Sequence, residues 1–384
     1  MPSIDLTDPY PAFSVLRAQG PVYVDPDLGL LLALSHASCL EVLQSPDFVR
    51  ADVAEEPREH FPALNLLSRT SLLQLDGRVH ERMHALLDDA IAHGHVERIT
   101  PPVRAFAAGH VEVLAERIRQ GGSADLVSEL AVPTAFEGIA ELLDLPEQLR
   151  PRLRNWMTTL GVIFEKDPSD VARRAAEHAA QALVDTVGDL VRHRSRQPGD
   201  DLISDLVHTG MSTDEIVGTT TLLLLAGHEP TAGAIGNGVS ALLRHRVQWQ
   251  RLIDDPGVLD TAVEELVRFD PPVQLVERVA VRDTTVADQM LPRTTKIAAV
   301  LGSAAHDPRV FTRPDELDVG RRHNPHLGFG AGPHRCPGAS LARTVVRATL
   351  SVLLNRLPGL DLFGQARRRP GIILRSWETL PVTA

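Results

Sequence analysis

The segment richest in chemistry is Phe329-Gly330-Ala331-Gly332-Pro333-His334-Arg335-Cys336-Pro337-Gly338. It surrounds Cys336, one of only two cysteines in the chain, the other being Cys39. Its glycines let the backbone turn tightly and keep the turn clear where a side chain would collide. Phe329 can pack beside the sulfur and exclude water. Taken alone, a lone thiol beside a glycine turn is most often a buried, inert residue. A second group is Glu265-Leu266-Val267-Arg268. Glu265 and Arg268 are three apart, share a helix face and can pair, which on a surface stabilises by only about 0.2–0.5 kcal/mol. A third is Ala226-Gly227-His228-Glu229-Pro230-Thr231, a small pair, an acid and a proline in an apolar stretch. Proline inside a helix removes the bond to the carbonyl four residues back, here Ala226, and kinks the helix.

Taken together these segments resemble the cytochromes P-450. The cysteine segment matches that family's signature, Phe-Gly-x-Gly-x-His-x-Cys-x-Gly, at all six fixed positions. A chance match in a chain of this length is on the order of one in a hundred thousand. Asn324-Pro325-His326-Leu327 before it and Ala339-Ser340-Leu341-Ala342-Arg343 after it extend the likeness. Glu265 and Arg268 match the family's Glu-x-x-Arg pair, roughly seventy residues before the cysteine, and the resemblance implies a structural lock with Arg321. Phe311, Pro314 and Asp318 fit the meander between them. The likeness begins at Asp8-Pro9-Tyr10-Pro11 and Leu16-Arg17-Ala18, typical of soluble bacterial members, and ends at Leu380-Pro381-Val382.

The resemblance implies haem b, iron protoporphyrin IX, with Cys336 as the axial ligand and Phe329, Gly330 and Gly338 shaping the loop against it. A thiolate ligand pushes electron density to iron and favours O–O cleavage. Arg278 and His334 would hold haem propionates, since a guanidinium pairs carboxylates well. His80 is a further candidate; the family usually has arginine four residues on, where this sequence has His84, a pH-sensitive replacement. Pro337 follows the cysteine where a residue with a backbone N–H is usual, so it offers the sulfur no hydrogen bond. It suits the first turn of the following helix.

Ala226 and Gly227 match the oxygen-binding helix and leave room for O2, and Glu229 matches the acid of the proton relay. Pro230 stands where the family usually has threonine. Thr231 is one residue on, about 100° around the helix, and cannot simply replace that hydroxyl. The resemblance therefore implies two reactions. One is hydroxylation in natural-product biosynthesis using O2 and two electrons. The other is oxidative C–C or C–O coupling of aromatic groups in a peptide or cyclic dipeptide, without oxygen insertion. A non-catalytic haem-fold partner is a third class, disfavoured because Cys336 and Glu229 are both present.

The elements that must position these residues are mainly helical. Ser212 and Glu215 form a capping box before a long apolar run. The helix they start extends to about Leu243, roughly 50 Å, and being apolar on nearly all sides it belongs in a protein interior. Further helices are expected at Ser35–Gln44, His80–Ala92, Val103–Arg119, Ser128–Leu143, Val171–Arg194 and Leu259–Phe269. Strands are expected at Thr284–Val286, Lys296–Val300 and near the C-terminus. The fold class is mainly α with a small antiparallel β region, the cytochrome P-450 fold, as one domain over residues 1–384.

With 43% hydrophobic and 23% charged residues among 384, the chain can bury a core and enclose a cofactor. A net charge of −11 argues against nucleic acid or anionic membrane as partner. Two cysteines make no disulfide framework and, with a polar N-terminus and no apolar run of spanning length, indicate a cytoplasmic protein. No flavin or nicotinamide motif is present, so electrons would arrive from a separate ferredoxin or flavodoxin, with Arg335, Arg343 and Arg347 as docking charges. By position in the family, residues 50–73, 155–170 and 273–276, the oxygen helix and the stretch near Trp377 would surround a small-molecule substrate. Trp156, Phe164 and Trp377 are candidates to stack on it, and Glu55–His60 reads as a solvated loop.

Overall fold

The structure is a computed structural model that describes residues 4–26, 29–50, 61–92, 94–161 and 169–384. It divides into two compact units: residues 1–51, 104–134 and 230–384 form one, and residues 52–103 and 135–229 the other.

The first unit contains the β structure. Its largest sheet has five strands in the order Val22–Asp25, Leu30–Ala33, Lys296–Ala299, Val276–Ala280, Phe48–Val49. The Leu31–Ala33 pairing with Ile297–Ala299 is parallel and its other ladders are antiparallel. The helix His36–Gln44 begins at Ser35, whose hydroxyl accepts the Ser38 N–H in a reciprocal capping box. Cys39 on this helix is fully buried against that sheet, and burial pushes its thiol far up, as expected of an inert apolar cysteine. Leu259–Phe269 has the bounds expected from its periodicity and buries Leu259, Ala262, Val263, Leu266 and Val267.

The second unit is helical. Gly77–Ala92 buries His80, Met83, Leu87, Ala90 and Ile91, an i, i+3, i+4 stripe. Asp170–Arg196 starts at Ser169, which accepts the Ala172 N–H, and ends with His193, Arg194 and Arg196 near the negative end of its dipole. The helix Thr213–Arg244 runs for 32 residues with Pro230 inside it. Its capping box forms: Glu215 accepts the Ser212 N–H at 2.8 Å and the Ser212 hydroxyl accepts the Glu215 N–H at 3.3 Å.

Three expectations need correction. The helix expected from Val103 begins at His95 and includes Pro101 and Pro102. Ile99, Val103 and Ala107 are fully buried, so packing carries the helix through two residues that lack donors. The helix expected from Ser128 opens with a π-helical turn, Val127–Ala131, before regular helix from Val132. Pro337 does not lie in a helical turn: it occupies a turn ahead of Gly338, the N-cap of Ala339–Arg356. Among the described residues no helix is long and apolar enough to cross a membrane.

Candidate functional site

The cysteine loop is built by its glycines. Gly330 and Gly332 have φ of +71° and +68°, a region side chains disfavour. At Gly332 a Cβ would also lie 2.2 Å from the Leu43 carbonyl oxygen, so the loop rests directly on the end of His36–Gln44. The Cys336 N–H donates to the Phe329 carbonyl at 2.8 Å, closing the turn. Cys336 is partly exposed, unlike Cys39, and a Cβ on Gly338 would touch its Sγ at 3.9 Å. Together these leave a sulfur at the open side of a backbone cradle. In the same unit Arg278 is 3% exposed and His334 half-buried.

Below the loop, Glu265 and Arg268 are fully buried. Arg268 donates from Nε at 2.8 Å and from Nη2 at 2.9 Å to the two oxygens of Glu265, and Arg321 Nε reaches Glu265 at 2.9 Å. Asn324 and the Asp318 N–H complete the carboxylate's partners, while Arg268 also donates to the Ala305 and Pro314 carbonyls. A buried ion pair tolerates desolvation only when its remaining valences are met this way.

The long helix Thr213–Arg244 is buried from Ile216 to Leu243 except at Leu222, Leu225, Ala226, Gly227, Glu229 and Pro230. Leu222, Leu225, Ala226, Glu229 and Pro230 repeat at the helical period and form one open stripe on a helix otherwise largely closed. Ala226 is the most open of them. Gly227 is needed for packing on the other side: a Cβ there would sit 3.3 Å from Ile139 Cδ1. Thr231 is buried, 4% exposed, and lies off the stripe. His80 is buried, with the His84 ring 5.3 Å away, and His84 Nδ1 lies 3.2 Å from Asp88 on the next turn.

Two polar clusters had no signal in local spacing. Glu264 accepts from Arg343 through Nε at 2.5 Å and Nη2 at 2.9 Å, and from His326 Nε2 at 3.0 Å. Burial alone would push the Glu264 carboxyl up; the hydrogen bonds from His326 and Arg343, with the Arg343 charge, outweigh it and hold the group at about 2. The second cluster gathers Asp270, Arg368, Arg375, Tyr10 and Asn237. Arg375 also donates to the Leu6 and Thr7 carbonyls, tying the N-terminal segment to the C-terminal one. Their partners lie too far away in sequence for spacing to show them.

Arg343 pairs with Glu264 and Arg347 lies 2.9 Å from Asp260, each with its side chain still partly exposed. Trp377 is not an open stacking platform, because the Arg368 guanidinium lies 3.6 Å from its ring centre and Gly236 packs at its edge. Trp156 is half-buried. Phe164, Glu55–His60 and parts of the expected pocket segments 50–73 and 155–170 lie outside the described residues.

A helix-rich protein with a backbone cradle around one partly exposed thiol, locked by a buried Glu-Arg-Arg cluster, defines a haem-thiolate protein. The family model for Cytochrome P450 matches residues 134–358, and the chain belongs to that family. Nocardicin C N-oxygenase of Nocardia uniformis subsp. tsuyamanensis is 35% identical, the match covering 98% of this chain and 96% of that protein. The cytochrome P450 monooxygenase PikC of Streptomyces venezuelae is 32% identical over 98% of this chain and 91% of its own. Among solved structures, P450BioI in complex with hexadec-9Z-enoic acid ligated acyl carrier protein superposes with a TM-score of 0.89. It is 30% identical and covers 99% of both chains. The chain is accordingly an oxidoreductase of the haem b type.

The donor set fits haem. A soft sulfur stands beside a turn built on glycines, and buried Arg278 with half-buried His334 supplies N–H donors suited to carboxylates.

Proposed function

We propose that this chain hydroxylates a small molecule made by a natural-product pathway, as a cytoplasmic enzyme taking electrons from a separate ferredoxin or flavodoxin. One oxygen atom of O2 enters a C–H bond; the other leaves as water with two electrons and two protons. When bound, haem b supplies the iron at which oxygen is activated. Cys336 would hold that iron, Phe329 would shield the sulfur, and Gly330 and Gly338 would keep the loop clear of the ring. Arg278, His334 and His80 would hold the propionates, with His84 drawn partly to Asp88.

The observation that carries this reading is the open stripe on an otherwise buried helix, where Ala226 leaves space and Glu229 lies on the same face, while Gly227 lets the helix pack closely on Ile139. In this reading Glu229 passes protons and the Ala226 carbonyl, left without a partner N–H by Pro230, holds a water on that path. The relatives named as a monooxygenase and an N-oxygenase support oxygen insertion.

Pro230 favours a second reading, oxidative coupling of aromatic groups, in which two hydrogens leave the substrate and, with two electrons from the redox partner and two protons, both oxygen atoms leave as water. Titrating the ferric enzyme with aromatic peptides, macrolides, terpenoids and carrier-bound acyl groups, and following the Soret shift, identifies the substrate class. Product mass then decides: gain of one oxygen supports hydroxylation, and loss of two hydrogens replaces it with coupling. Glu229→Gln should slow turnover about 10-fold or more with haem content intact; unchanged turnover removes Glu229 from the relay.

A further inference from the structure

Consecutive glutamates on the helix Leu259–Phe269 serve different ends. Glu265 is fully buried with Arg268 and Arg321, whereas Glu264 meets His326 in the loop that leads to Cys336. The Arg343 guanidinium meets the Glu264 carboxylate as a two-pronged fork and lies 4.4 Å from the centre of the Phe329 ring. A cation at that distance from an aromatic face is attracted by the ring quadrupole. His326 fixes the other side of the carboxylate. Its Nδ1 accepts the Gly328 N–H at 3.1 Å, so Nε2 carries the proton donated to Glu264. The loop can approach this helix because residue 328 is glycine: a Cβ there would lie 2.6 Å from Val267 Cγ1. Phe329 in turn accepts the Cys336 N–H. A continuous set of contacts therefore runs from Glu264 through Arg343 and Phe329 to Cys336.

We propose that Glu264 and Arg343 are positioning residues that fix Phe329 beside Cys336 and, through their paired charges, set the reduction potential of the iron. The proposal rests on Cys336 being the haem ligand. The pair is balanced: the guanidinium favours the electron-rich ferrous state and the carboxylate opposes it. Removing either charge alone unbalances the site in opposite directions. Loss of packing would not do so, since it lets water reach the sulfur whichever partner is lost.

The test is a mediator-coupled potentiometric titration of the haem-loaded protein, comparing wild type with Arg343→Met, Glu264→Gln, the double variant and Arg343→Lys. At fixed ambient potential the ferrous-to-ferric ratio should fall several-fold in Arg343→Met and rise several-fold in Glu264→Gln. It should return close to wild type in the double variant, and Arg343→Lys should restore most of what Arg343→Met loses. Shifts of the same sign in both single variants, or no shift in either, overturn the proposal. If Glu264→Gln does not load haem, the Arg343→Met and Arg343→Lys pair decides: no fall, or no restoration by lysine, overturns it. A docking role for Arg343 has a different signature, in which ferredoxin-driven reduction weakens while the mediator potential stays fixed; that also overturns it. Absence of a thiolate-type band in the wild-type carbon monoxide complex would show instead that the Cys336 assignment fails, and the proposal with it.

Discussion

Glu265→Gln tests how far the buried cluster holds the first unit together. The carboxylate is fully buried and accepts from Arg268 twice, from Arg321, from Asn324 and from the Asp318 N–H. Neutralising it leaves the Arg268 charge in the interior with only carbonyl partners, at Ala305, Pro314 and Glu316. Breaking a buried pair from one side costs about 3–5 kcal/mol, because the surviving charge keeps its desolvation penalty. The helical bond between residues three apart contributes little on its own. Equilibrium urea unfolding of the haem-loaded protein, followed by circular dichroism and tryptophan fluorescence, should show that loss as a lower midpoint at similar slope. The Glu265→Leu/Arg268→Met double variant removes both charges and should lose less than the sum of its single variants. A loss below about 1 kcal/mol for Glu265→Gln, or strict additivity in the double variant, would refute the reasoning.

Three other outcomes follow from the same geometry. The Glu264 carboxyl is held at about 2 against an ordinary 4.5, so its contribution is full above pH 4.5 and is lost as pH falls toward 2. The stability gap between wild type and Glu264→Gln, on the order of 2 kcal/mol for this partly exposed group, should close across that window; a gap that does not change with pH would contradict it. Gly332→Ala forces a positive φ and puts a Cβ 2.2 Å from the Leu43 oxygen, whereas at Gly330 the nearest atom is 3.6 Å away. Thermal melts and haem retention should therefore show a loss of about 2–4 kcal/mol for Gly332→Ala and about 1 kcal/mol for Gly330→Ala; equal losses would show that the contact with Leu43 is not decisive. Pro337→Leu adds a backbone N–H beside the ligand and should raise the iron potential in potentiometry; no rise would show that this N–H does not reach the sulfur.

The local features were legible in the sequence because they depend on neighbours along the chain. The turn around Cys336 needs glycine at Gly330 and Gly332, the Ser212–Glu215 box starts the long helix, and Glu265 pairs with Arg268 one turn on. The amphipathic periodicity placed Leu259–Phe269 at its observed bounds. The prolines at 101 and 102 misplaced a helix start, because apolar burial outweighs local propensity there.

Contacts between distant segments were decided only in the tertiary structure. Periodicity marked the helix Thr213–Arg244 as interior; only packing showed that the face from Leu222 to Pro230 stays open. Arg343 reads as a basic residue near the cysteine loop, but Glu264, 79 residues earlier, holds its charge over Phe329. Trp377 reads as an aromatic available for stacking, but Arg368 occupies its face. In each case the side chain's chemistry was visible in the sequence, and its partner was not. A helix or turn is specified by residues a few positions apart, whereas a charge or an aromatic face takes its role from whatever the fold packs against it.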